Sequence, residues 1–118
     1  MNPGGPSSPP DLELEVFRGL SLNINHGGRR IGFIDAWEDE DVEKGVWVEY
    51  VYVLKGFRDS GFGSEAMRRA IARWGGLGFE TVSLDDIHWE KPEDFWGDLG
   101  FSGGEKRKRL VIREAPWL

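Results

Sequence analysis

Residues 58–63 read "RDSGFG" and stand between an apolar run, "VWVEYVYVL" (46–54), and a helical pattern, "SEAMRRAIARW" (64–74). Strand, glycine loop and helix start, in that order, bring backbone N–H groups up to an anion. The first N–H groups of a helix have no internal partner, and its dipole adds roughly +0.5 charge at that end. Gly61 and Gly63 lack Cβ, so a phosphate oxygen can approach the main chain closely. Arg58 can add a charged donor or tie the loop down. The same glycine pair also suits a plain turn that packs a helix on a sheet, so the pair alone leaves cradle and turn both open.

A strand and a helix must hold that loop in place, and both are readable. Phe62, Ala66, Ala70, Ile71 and Trp74 recur on one helical face, with Arg68, Arg69 and Arg73 elsewhere. "GGLGF" stops the helix. Upstream, "LELEVF" (12–17), "LSLNIN" (20–25) and "RIGFIDAW" (30–37) read as strands, with a glycine-pair turn in "HGGR". With 46–54 they form an antiparallel meander. Downstream come a strand, "TVSLDDI" (81–87), a short helix in "KPEDFWGDLGF" with Pro92 near its start and Gly100 as its stop, and a last strand, "KRLVIRE" (108–114). The order β-β-β-β-α-β-α-β defines an α/β (α+β) fold with a mixed sheet. Residues 1–10, with four prolines and two glycines, are expected to be a disordered tail, leaving one domain over 11–118.

Composition removes several function classes. A chain of 118 residues can bury one core, and 39% apolar and 13% aromatic residues supply it. Without cysteine there is no disulfide framework, no thiolate zinc site and no thiol nucleophile. His26 and His88 have no ligand-type partner at i+3 or i+4, so no metal site is expected. A net charge of −6 disfavours nucleic acid and anionic membranes as partners. No run approaches the ~20 apolar residues of a membrane span. "MNPGGPSSPP" lacks the basic and apolar regions of a secretory signal, so a cytoplasmic protein is expected.

"GFGSEA" also fits a dinucleotide fingerprint, with Asp85 or Asp86 about 20 residues on. Gly61 stands too far beyond the strand for that motif, and the first half is antiparallel. A longer match takes another direction. "EYVYVLKGFRDSGFGSEAMRRAI" resembles the acyl-CoA-binding core of the Gcn5-related N-acetyltransferase (GNAT) family, with Arg58, Gly61 and Gly63 on its R/Q-x-x-G-x-G/A signature. "DFWGDLGF" (94–101) is similar to the end of the family's fourth helix, and "INHGGRRIGFI" to its β-hairpin.

That resemblance implies acetyl-CoA as the group donor and a sheet in which strand 46–54 splays from strand 81–87. Pantetheine would lie in the gap against backbone groups of Val51 and Val53. The pyrophosphate would sit on the amides of Asp59, Ser60, Gly61, Phe62, Gly63 and Ser64, with Arg58 beside them. The implied reaction is acetyl transfer to a primary amine, either a small cation or a protein lysine or N-terminus. A large macromolecular acceptor such as DNA suits the charge less well.

Amine acetylation needs a neutral amine, a stabilised oxyanion and a proton for the departing thiolate. Glu49 is the candidate base, directly or through water, and the N–H of Val51 or Val53 the oxyanion donor. On a strict period of two, Glu49 shares a face with Trp47, Val51 and Val53, and Tyr50 and Tyr52 lie opposite as core or substrate wall. The alternative for Glu49 is an outward carboxylate, although in a sheet covered on both faces neither face is plainly outward. Trp96 stands where the family often has a tyrosine acid, and indole is no usable acid near neutral pH. Trp89 replaces the usual asparagine. His88 titrates in a suitable range and is the substitute acid candidate, against a purely structural role.

Only Arg18 and Gly19 separate the first two strand-like runs, so the two helices the family inserts there cannot fit. An open acceptor side suits a large substrate, a homodimer or partner subunit that completes the pocket, or a non-catalytic acyl-CoA-binding or interaction module. Glu38, Asp39, Glu40, Asp41 and Glu43 could steer a cationic acceptor or form a solvated turn. Residues 106–109, "KRKR", could reach a CoA phosphate or an acidic partner, or protect a sheet edge. Trp37, Trp47, Trp89 and Trp96 are read as core or interface residues.

Overall fold

The computed structural model describes residues 11–58, 60–85, 95–104 and 106–118. Their strands are β1 (Glu13–Arg18), β2 (Ser21–His26), β3 (Arg29–Glu38), β4 (Gly45–Val53), β5 (Thr81–Asp85), β6 (Ser102–Gly103) and β7 (Arg107–Val111). They form one sheet of order β1-β2-β3-β4-β5-β7-β6. Helix α1 (Phe62–Gly76) joins β4 to β5, and a four-residue helix α2 (Phe95–Asp98) precedes β6. β1 turns directly into β2 through Gly19 and Leu20, as the shortness of that connection requires.

Every β1–β4 contact is antiparallel, because turns too short for a crossover connect those strands. The β4–β5 contact is parallel, because α1 carries the chain back across the sheet. Cross-strand partners share a face. One face therefore carries Leu22, Ile34 and Val51, and also Ala36, Val48 and Leu84, all buried. Onto this face α1 presses Phe62, Ala66, Met67, Ala70, Ile71 and Trp74. These include all five positions that the helical period selects. Each large side chain fully removed from water contributes about 1.5–3 kcal/mol, so this stripe holds the helix to the sheet.

The other face carries Phe33, Asp35, Trp37, Trp47, Tyr50 and Tyr52, none of them buried. Ser83, which pairs with Trp47 on this face, is buried, so the exposure belongs to the β3–β4 part of the face. Tyr50 and Tyr52 are accordingly not core residues. Their rings flank Phe33, each with its centroid 5.8 Å from that of Phe33.

α1 begins at Phe62, two residues before the periodic run, and continues through Gly75 and Gly76. The last expected strand is β7 alone, since Ile112–Glu114 form a 3-10 turn. Gly32, opposite Val53, allows the close approach of β3 to β4, since a Cβ there would lie 2.1 Å from the Tyr52 carbonyl oxygen.

Candidate functional site

β4 pairs with β5 only from Gly45–Thr81 to Val48–Leu84, whereas its pairing with β3 runs on to Val53. Residues 49–53 thus have β3 on one side and, among the described residues, an open gap on the other. The Leu54 N–H donates to the Ile31 carbonyl at 2.7 Å. The alternation of an antiparallel ladder then turns the N–H and C=O groups of Val51 and Val53 away from β3, into the gap.

At the mouth of the gap, Lys55–Phe57 form a 3-10 turn and Gly61 caps α1 in the left-handed conformation, at φ 83° and ψ 0°. Among the described residues no side chain caps α1, and the Glu65 N–H bonds back to the Gly61 carbonyl at 3.0 Å. The amides of Phe62, Gly63 and Ser64 form the first turn, which has no partner within the helix, and align with the positive end of a 15-residue helix. Phe62 pins this end, its ring centroid 5.6 Å from Phe57 and 5.0 Å from His26. Sequence reasoning missed His26 and Phe57, since no local pattern announces a contact between β2 and the glycine loop.

Of the two roles open to Arg58, the structure displays the tie. Its Nε donates to the Val53 carbonyl at 2.7 Å and its guanidinium lies 5.4 Å from the Tyr52 ring centroid. Ser60 Oγ donates to the Arg58 carbonyl at 3.4 Å. Asp59, His88 and Trp89 lie outside the described residues.

The face expected for Glu49 is corrected by a β-bulge. Asp35 pairs with Tyr50 but Ala36 pairs with Val48, so Glu49 is the extra residue on β4. The bulge shifts the period by one. Val46, Val48, Val51 and Val53 all turn to the core, and Glu49 goes to the exposed face with Trp47 and Tyr50. Trp47 Nε1 donates to Glu49 Oε1 at 3.0 Å. The bulge falls where the β4–β5 pairing ends, so the carboxylate stands at the inner end of the gap.

Beside it, Trp37 and Trp47 pair across β3 and β4 and line an open pocket of about 280 Å³ with Asp39, Glu40, Asp41 and Arg107. Arg107 reaches in from β7, its guanidinium 5.1 Å from the Trp47 centroid. Asp39 also accepts the Asp41 N–H at 2.9 Å, which shapes the loop. Of the tryptophans read as core or interface, Trp37 is exposed, Trp47 half-buried and Trp96 buried. The Trp96 ring centroid lies 4.7 Å from that of Phe95 and 5.2 Å from that of Phe101.

A sheet that opens between two parallel strands, with a helix start at the mouth of the opening, is the arrangement that the resemblance to the acyl-CoA-binding core implies. A sequence profile of the acetyltransferase (GNAT) family matches residues 4–101, and the chain belongs to that family. The fold is similar to the ribosomal-protein-S18-alanine N-acetyltransferase of Escherichia coli, at TM-score 0.69 and 15% identity over 83% of this chain and 72% of that one. It is also similar to a GNAT-family acetyltransferase of Desulfovibrio desulfuricans, at TM-score 0.68 and 13% identity over 78% and 67%. An acetyltransferase of Bacillus subtilis solved in complex with CoA aligns at TM-score 0.63 and 15% identity, over 77% and 75%. No curated protein matches the chain in sequence. Among the described residues, no helix is long and apolar enough to cross a membrane, and no group of acidic or histidine side chains could hold a metal ion.

Proposed function

We propose that the chain transfers an acetyl group from acetyl-CoA to a primary amine carried by a cationic acceptor. The observation that carries this reading is the gap beyond Val48 and Leu84, which opens onto the first-turn amides of α1. The gap suits an extended pantetheine arm, with amide partners on Val51 and Val53. The first-turn amides and Gly61 suit a pyrophosphate, since among the described residues no side chain caps them.

The acceptor approaches the exposed face. Trp37, Trp47 and the carboxylates of Asp39, Glu40 and Asp41 favour a cation there, and Glu49 stands at the inner end of the gap. Glu49 takes a proton from the ammonium, directly or through water, so that the nitrogen lone pair can attack the thioester carbonyl carbon. A C–N bond forms, and the backbone N–H of Val51 supports the oxyanion. The bonded nitrogen releases its second proton to solvent as the C–S bond breaks, giving a neutral amide and a thiolate that takes a proton from solvent. Trp96 is 3% exposed and packed between aromatic rings, so it supplies no proton.

That burial also favours a second reading, a binding module that holds acyl-CoA without turning it over. Thiol release from acetyl-CoA across polyamines, lysine-rich peptides and free amino acids separates the two. Release with an amine supports the enzyme, and a silent panel with intact CoA binding supports the module. A second copy of the chain over the exposed aromatic face is the partner this surface favours, because Phe17, Trp37 and Tyr50 remain 59%, 46% and 39% exposed.

A further inference from the structure

Trp47 lines the acceptor pocket with its ring, and its indole N–H also donates to the carboxylate assigned as the base, at 3.0 Å. We propose that Trp47 is a positioning residue that fixes the Glu49 carboxylate at the bulge for proton transfer. The inference rests on the reading of Glu49 as the base.

The need for such a contact follows from the bulge. Glu49 is exposed and is the unpaired extra residue of β4, so neither burial nor a cross-strand neighbour selects its rotamer. A free glutamate side chain must lose its rotamer freedom before it can act, which is worth about tenfold or more in rate. The Trp47 ring is itself held. Trp37 lies opposite it on β3 and the Arg107 guanidinium sits over its face, 5.1 Å from the centroid. A rigid ring two residues along the strand can therefore present its N–H at a fixed point. The bond goes to Oε1, which leaves Oε2 to accept the proton of the acceptor ammonium.

The chain has six tryptophans, so an indole ¹H–¹⁵N spectrum is readable, and the signal missing in Trp47→Phe belongs to Trp47. In Glu49→Gln that signal should shift more than the other indole signals. An unmoved signal overturns the contact. The role is read from acetyl-CoA turnover with spermidine as the acceptor probe, in Trp47→Phe, Glu49→Gln and the double variant. Trp47→Phe should lower kcat about tenfold at unchanged KM for acetyl-CoA, and should have no further effect once Glu49 is replaced.

An equal loss in both backgrounds shows that Trp47 acts otherwise than through Glu49 and overturns the inference alone. Full activity in Glu49→Gln overturns the base assignment and the positioning role with it, as does a wild type that turns over no spermidine. Unchanged stabilisation of Trp47→Phe by CoA confirms that the variant is folded when its rate is read.

Discussion

Replacing Gly61 by alanine separates a phosphate cradle from a plain turn. Gly61 sits at φ 83° and ψ 0°, a left-handed conformation that places the Cβ of an L-residue against the following carbonyl. Holding alanine there costs about 1–2 kcal/mol, out of the roughly 5–15 kcal/mol that holds a domain of this kind folded. The variant should therefore fold, with its urea midpoint lowered by that margin. If the chain instead relaxes at residue 61, the first-turn amides of α1 rotate away from the mouth of the gap. Restoring them on binding then draws the same ~1–2 kcal/mol from CoA affinity, a weakening of about 5- to 30-fold. The assay is urea denaturation with and without millimolar CoA. A ligand at 100 times its Kd adds about 2.7 kcal/mol to the wild type, and that increment should shrink in Gly61→Ala. Gly61→Asn should recover part of both losses, because asparagine tolerates the left-handed region. A Gly61→Ala protein that relaxes without loss of stability yet keeps the full CoA increment would refute the assignment of these amides to the phosphates.

Other outcomes follow from the packing and the charges. Trp74 is wholly buried and its Nε1 donates to the Leu20 carbonyl at 3.3 Å, so Trp74→Ala should lose about 3–5 kcal/mol in denaturant titration. Ser21 Oγ donates to Asp35 Oδ1 at 2.9 Å and accepts the Ala36 N–H at 3.0 Å, so Ser21→Ala should lose about 1–3 kcal/mol, with no effect on CoA affinity by calorimetry. Replacing Glu40 and Asp41 together by their amides should raise KM for a polycationic acceptor and flatten its dependence on salt, while KM for acetyl-CoA stays constant.

The glycine loop and its helix were legible because their signal is local. Arg58, Gly61 and Gly63 lie within six residues, and the buried stripe from Phe62 to Trp74 repeats at the helical period. The missing helices were legible too, from the two residues left between two strand-like runs. The setting of Glu49 was not. A bulge inserts one residue without a marker, since neither glycine nor proline accompanies it in "VWVEYVYVL", and every face assignment beyond it then reverses. The pocket that Trp37, Trp47 and Arg107 line was also out of reach. Its walls come from β3, β4 and β7, and their adjacency follows from sheet order rather than from spacing. Composition counts tryptophans without saying which face of a strand they occupy, so sequence alone leaves core and interface both open for Trp37 and Trp47.

The central claim is that acyl-CoA lies in the gap beside β4 with its phosphates on the start of α1. An amide ¹H–¹⁵N titration of the chain with CoA tests it at single residues. The largest saturable shifts should fall on Gly61, Phe62, Gly63 and Ser64 and on Val51 and Val53. No saturable shift at millimolar CoA, or shifts confined to the basic strand around Arg107–Val111, would contradict it.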